Sequence, residues 1–134
     1  MVKETVVNQN LTQEMTDAGA NLLRQLDKLE LTVKAAFWFF LPETDNWRLI
    51  FAFPEVKNKG PALFYEKIQD AIKECKGDIV PLQNITVKDY NDNIIQLLRK
   101  AIKTSPDATG NRIRFSRSAI NGVFIEDALI YRLA

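Results

Sequence analysis

Asp45, Glu55 and Lys57 are the residues whose types and spacing come closest to a catalytic set. Two acids flank an apolar run and a lysine follows the second by two positions, a grouping that suits a divalent metal and an activated water. Nucleophilic chemistry has less to work with. The chain has 0 histidines, which excludes Ser-His-Asp and Cys-His sites, any His-ligated metal and the usual general base near neutral pH. The single cysteine, Cys75, falls on the apolar stripe of a helical pattern and reads as a core residue. It can form neither an intrachain disulfide nor a zinc site. Glu126 and Asp127 are adjacent, so on a strand they point to opposite faces and form no acid/base pair.

The Asp45/Glu55-Val56-Lys57 pattern superficially resembles the motif of PD-(D/E)xK nucleases. That resemblance implies Asp45 and Glu55 as metal ligands and Lys57 as the lysine beside the attacking water. The intervening residues argue against it. They read as one uninterrupted strand, and ten residues at ~3.3 Å each would hold the acids roughly 25–33 Å apart. One metal ion needs both oxygens within about 2.5 Å. Pro54 before Glu55 also departs from the motif. The alternative is a solvated strand end, and neither a metal nor a cofactor is expected.

A second candidate lies in the C-terminal third. From position 91 onward seven Lys or Arg stand against four Asp or Glu, a net +3, while the whole chain carries only +1. Lys100, Lys103, Arg112 and Arg114 form a possible phosphate-binding set, with Arg112, Arg114, Ser116 and Ser118 sharing one strand face. No aromatic ribonucleoprotein signature and no Walker or Rossmann glycine motif accompanies them. The alternative is an exposed sheet face with ordinary ion pairs. Trp38 and Trp47 read first as core and second as interface residues; Trp47, beside a turn, is the better placed for a contact.

These residues need elements to hold them, and the central one is the stretch from Ala35 to Phe53. It contains five of the eight phenylalanines and both tryptophans. Two apolar runs of about seven residues, rich in aromatics and separated by turn residues, predict a β-hairpin over 33–41 and 47–53. A loop at Glu43-Thr44-Asp45-Asn46 sets Phe40 opposite Leu49 and Trp38 opposite Phe51. Ala36, Trp38 and Phe40 then share one face. Phe37, Phe39 and Leu41 share the other with Arg48 and Ile50. A half-exposed antiparallel pair alternates apolar with polar; this one is apolar on both faces. Each large buried side chain is worth roughly 1.5–3 kcal/mol, so the second face must be covered by the chain's own helices or by another subunit.

Helices are predicted over 12–29, 61–76 and 92–103. Thr12 caps the first. Gly60-Pro61 opens the second and Gly77 stops it, and Asn91 or Asp92 caps the third. Ile85-Thr86-Val87 is a short strand broken from its surroundings by Pro81. Thr104 to Asn111 reads as a loop. Asn121-Gly122 predicts a second hairpin over 112–120 and 123–131, with Ile120 opposite Val123, Arg117 opposite Glu126, Phe115 opposite Ala128 and Ile113 opposite Ile130. The apolar residues near its turn and those further out fall on opposite faces, so either a bulge switches the faces or both are partly covered. The expected fold is α+β: one domain over 1–134 with a mainly antiparallel sheet built from two hairpins, three helices, and residues 1–10 as a loose arm.

The N-terminus lacks an apolar core of signal-peptide length, and no run is long enough to span a bilayer, so a cytoplasmic protein without membrane association is the default. The phrases AAFWFFLPETDNWRL, GPALFYEKIQDAI and RFSRSAINGVFIEDALIYRL resemble those of an uncharacterised bacterial family of hypothetical proteins, over roughly Leu29 to Leu133. The resemblance implies a free-standing bacterial domain and carries no activity, substrate or site residue. The functional expectation is a non-catalytic protein-interaction or self-associating domain, with a homodimer as the simplest form. Phosphate or nucleic-acid binding is the alternative, and a metal-dependent nuclease the remote one.

Overall fold

The computed structural model describes residues 10–102 and 112–134. Most of the expected N-terminal arm, the loop from Thr104 and Lys103 itself lie outside the described residues. The chain is an α+β protein. Five strands form one sheet: β1 (Ala35–Leu41), β2 (Asn46–Phe53), β3 (Ile85–Asp89), β4 (Ile113–Ile120) and β5 (Val123–Leu133), in the order β3-β2-β1-β5-β4. The helices are α1 (Gln13–Lys28), α2 (Val56–Lys59), α3 (Pro61–Glu74) and α4 (Asn93–Ala101).

The aromatic ribbon takes the middle of this sheet. β1 pairs antiparallel with β2 on one side and with β5 on the other. Helices cover both faces of this strand over most of its length, with Phe39 and Leu41 only partly covered, which is why AAFWFFL can be apolar throughout. The register is Phe40 with Trp47, Trp38 with Leu49 and Ala36 with Phe51, two residues from the expected pairing. Both loops hold four residues; the observed one, Pro42 to Asp45, begins one residue earlier. Pro42 thereby leaves the ladder, to which it has no N–H to give, and Asp45 closes the turn at φ 54. A two-residue slip preserves the faces, so the facial assignment stands.

One face carries Trp38, Phe40, Leu49, Phe51 and Phe53 and is covered by α1 and α3, which supply Leu22, Leu23, Leu26, Phe64 and Ile68. The other face carries Ala35, Phe37, Ile50 and Ala52 and meets Ile95 and Leu98 of α4. The Thr12 side chain caps α1 by accepting from the Met15 N–H at 3.1 Å, and Asp92 caps α4 by accepting from Ile94 at 3.0 Å. Gly60, at φ 82, precedes Pro61 at the start of α3.

Three findings depart from expectation. The sheet is mixed, because β3 pairs parallel to β2. Parallel neighbours need a crossover, and α3 is its body. A fourth, one-turn helix, α2, occupies residues read as a strand end. The helix α3 stops at Glu74; Cys75 is already extended, and Gly77 adopts φ 85 in the following loop.

The second hairpin keeps the expected register from Ile113–Ile130 to Ile120–Val123. Arg117 adopts φ 47 and drops out of the ladder. There the apolar sides exchange: Phe115 and Ile120, and Ala128 and Ile125, all reach the α4 core although their parities differ. This is the first of the two arrangements that the pattern allowed, a switch of faces. The Arg117–Glu126 pair is present at 3.9 Å and mostly in water, where such a pair contributes little.

A register shift between Ala36 and Phe37 leaves Tyr131 as the extra residue on β5. Tyr131 and Arg132 both reach α1 as a result. The Tyr131 hydroxyl donates to the Thr16 carbonyl at 2.5 Å and accepts from Trp38 Nε1 at 3.1 Å. Burial pushes its pKa up to about 12, partly offset by the hydrogen bond from Trp38. An unfolded tyrosine titrates near 10. The folded state therefore keeps this proton to higher pH, so its contribution is complete below about pH 10 and is lost as the pH rises through about 12. Unfolding free energy measured across that window is expected to fall more steeply for wild type than for Tyr131→Phe.

Candidate functional site

The two acids of the nuclease-like pattern stand at opposite ends of β2, Asp45 in the turn before Asn46 and Glu55 after Phe53. They are not brought together. Lys57 is exposed on α2, and Glu55 pairs with Lys59 at 3.4 Å. No group of three or more His, Cys, Asp or Glu able to hold a metal ion occurs among the described residues.

Of the basic set, the described members Lys100, Arg112 and Arg114 are divided by the sheet. Arg112 reaches Asp17 at 3.4 Å and lies over the Tyr131 ring, on the α1 side. Arg114 makes two bonds to Asp127, at 2.6 and 2.7 Å, and lies over Trp47. The bond to Asp127 raises the Arg114 pKa, against a smaller effect of burial. Lys100 is exposed on α4, which packs on the opposite face. The guanidinium groups of both arginines thus lie over aromatic rings while they meet carboxylates. Trp38 and Trp47 are interior, at 1% and 6% exposure. Cys75 is half-buried against the α1–α3 core, and burial pushes its thiol above the ordinary range.

What the chain does leave open is on the α4 side. α4 has 9 residues, so it is about 13 Å long. Five strands at ~4.8 Å spacing are about 19 Å across. One short helix cannot cover that width, and a groove of about 440 Å³ remains over the β3 side. Phe39 and Leu41 of β1 and Ile50 of β2 form its apolar floor, and Ile94 of α4 forms a wall. A second depression of about 330 Å³ continues past Ile94 and Leu97 to Val123 on the β4–β5 turn. The tip of that hairpin is open: Val123 is 46% and Phe124 59% exposed.

Two cations border the groove. Lys88 pairs with Asp92 at 3.2 Å. Arg48 is half-buried and held by neutral acceptors, its Nε donating to Thr86 Oγ1 at 2.6 Å and its Nη2 to the Ile85 carbonyl at 3.1 Å. No carboxylate pairs with it among the described residues. In the sequence Arg48 is the lone charge on an otherwise apolar face of the first hairpin, a signal that marks the position without indicating a role. Lys88 carried no comparable signal, because its place depends on the parallel pairing of β3.

β3 is an edge strand, yet side chains occupy some of its backbone groups. The Val87 N–H donates to the Tyr65 hydroxyl at 2.9 Å, and Arg48 takes the Ile85 carbonyl. Such plugs discourage addition of a further strand. Among the described residues no helix is long and apolar enough to cross a membrane. Comparison with protein-family models, with curated proteins and with solved structures finds no match.

Proposed function

We propose that this protein is a non-catalytic interaction domain that associates through the α4 side of its sheet, most simply with a second copy of itself. The observation that carries the reading is the open apolar surface running from the β4–β5 tip along α4. Val123 stands out into solvent there, beside the half-covered Ile94 and Leu97, and Phe124 is exposed next to it at the tip. Burying a large apolar side chain contributes roughly 1.5–3 kcal/mol. Val123 and Phe124, as strand neighbours, point to opposite sides of the ribbon, so a partner would have to enclose the tip. A net charge of +1 offers little repulsion between copies. The plugged β3 edge favours contact through side chains over strand addition there.

Sedimentation velocity from low micromolar to about 100 µM tests the reading. Wild type is expected to show a concentration-dependent dimer. The Val123→Ser/Phe124→Ser variant should weaken it by about tenfold or more, since two buried contacts are lost. A wild-type chain that sediments as a monomer throughout removes self-association.

A further inference from the structure

We propose that the groove over β1, β2 and β3 is a binding site for a small amphipathic monocarboxylate, whose carboxylate is held by Arg48 and whose alkyl body lies on Phe39, Leu41, Ile50 and Ile94. This goes beyond the interaction reading and concerns the neighbouring part of the same face. The groove volume of about 440 Å³ is within the range of ordinary ligand pockets. At ~30 Å³ per water-sized group it takes a ligand of roughly fifteen non-hydrogen atoms or fewer.

The charge arrangement selects the headgroup. Arg48 is anchored at Nε and one terminal nitrogen, so its fork is fixed before any ligand arrives. Its neighbours in the groove are apolar or neutral, except for Lys88 and Asp92. Those two pair with each other, which leaves one uncompensated positive charge. A half-buried guanidinium facing apolar surface is stabilised by an anion that comes with its own apolar body. One spare charge matches a monoanion. A phosphate dianion would leave a negative charge unpaired in an apolar cleft. The N-terminal turn of α4 does not supply the headgroup contact at Ile94, because that N–H is already given to Asp92.

The test uses octanoate, with 1-octanol and octyl phosphate as comparisons, titrated into the full chain by calorimetry. The Val123→Ser/Phe124→Ser background is used alongside wild type, so that a failure of self-association and a failure of ligand binding are read separately. Octanoate is expected to bind one per chain and more tightly than either comparison. Arg48→Met should weaken it about tenfold or more, through loss of a charge-assisted hydrogen bond, and Arg48→Lys should restore part of the affinity. Leu41→Trp should abolish binding by filling the groove while leaving Arg48 in place. Octanol binding as tightly as octanoate, unchanged affinity in Arg48→Met, or no octanoate binding in either background would each overturn the proposal.

Discussion

Asp27→Ala is expected to destabilise the chain by about 3 kcal/mol, read as a lowered denaturation midpoint with an unchanged slope. Arg132 is 2% exposed, and Asp27 on the last turn of α1 supplies its carboxylate. The two bonds, 3.0 Å from Nη1 and 2.9 Å from Nη2, form a fork that grips both carboxylate oxygens. Arg132 also donates to the Val33 carbonyl at 3.2 Å. Removing one partner of a buried pair costs about 3–5 kcal/mol, because the buried guanidinium loses two charged hydrogen bonds that water cannot fully replace. The lower end applies here, since the Asp27 side chain is 35% exposed and water can partly follow the change. Replacing both partners removes the buried guanidinium together with its acceptor. Asp27→Ala/Arg132→Met should therefore lose less than Asp27→Ala alone. A single mutant as stable as wild type would show that the pair contributes nothing.

Gly19→Ala should cost about 2 kcal/mol, although alanine is ordinarily the better helix former by about 1 kcal/mol. A Cβ at position 19 would stand 2.6 Å from the Tyr131 hydroxyl and 2.9 Å from Trp38 Nε1. Neither can yield easily. Both side chains are fully buried; Trp38 donates to the Tyr131 hydroxyl, which in turn donates to the Thr16 carbonyl. Gly19 is thus the position at which α1 comes down onto the sheet. The effect should couple to Tyr131. Removing the hydroxyl removes the closest obstacle, so Gly19→Ala/Tyr131→Phe is expected to be more stable than the two single losses added together. Strict additivity would mean that the helix shifts to make room by some other route.

These two sites mark the limit of what the residues alone disclosed. The faces of the first hairpin were legible because alternation sets them and a two-residue slip leaves them unchanged. The second hairpin was legible in register as well, because Asn121-Gly122 sets the turn and every pairing follows from it. Caps at Thr12 and Asp92 were legible because they are local chemistry. Strand order was not, since nothing in β1 distinguishes β5 from any other apolar neighbour. The parallel placement of β3 was hidden for the same reason.

Arg132 shows the difficulty most plainly. Counted by composition it belongs to a basic C-terminal segment, yet it is the most deeply buried charge among the described residues. Its place depends on a bulge opposite Ala36 and on the distant end of α1. The described members of the basic set are apart on the same ground: spacing along the chain puts Lys100 near Arg112 and Arg114, while the sheet stands between them. The groove was half legible. Arg48 interrupts an apolar face, but only the shortness of α4 relative to a five-stranded sheet reveals that this face stays partly open.

Amide hydrogen exchange through β1 tests the account most directly. With β2 and β5 on its flanks and helices above and below, Phe37, Trp38 and Phe39 should exchange only by global unfolding and be among the slowest amides in the chain, well behind Ser116 and Ala119 of the edge strand β4. Exchange of the β1 amides at the rate of that exposed edge would contradict a ribbon held between β2 and β5, and with it the strand order on which the groove and the association surface depend.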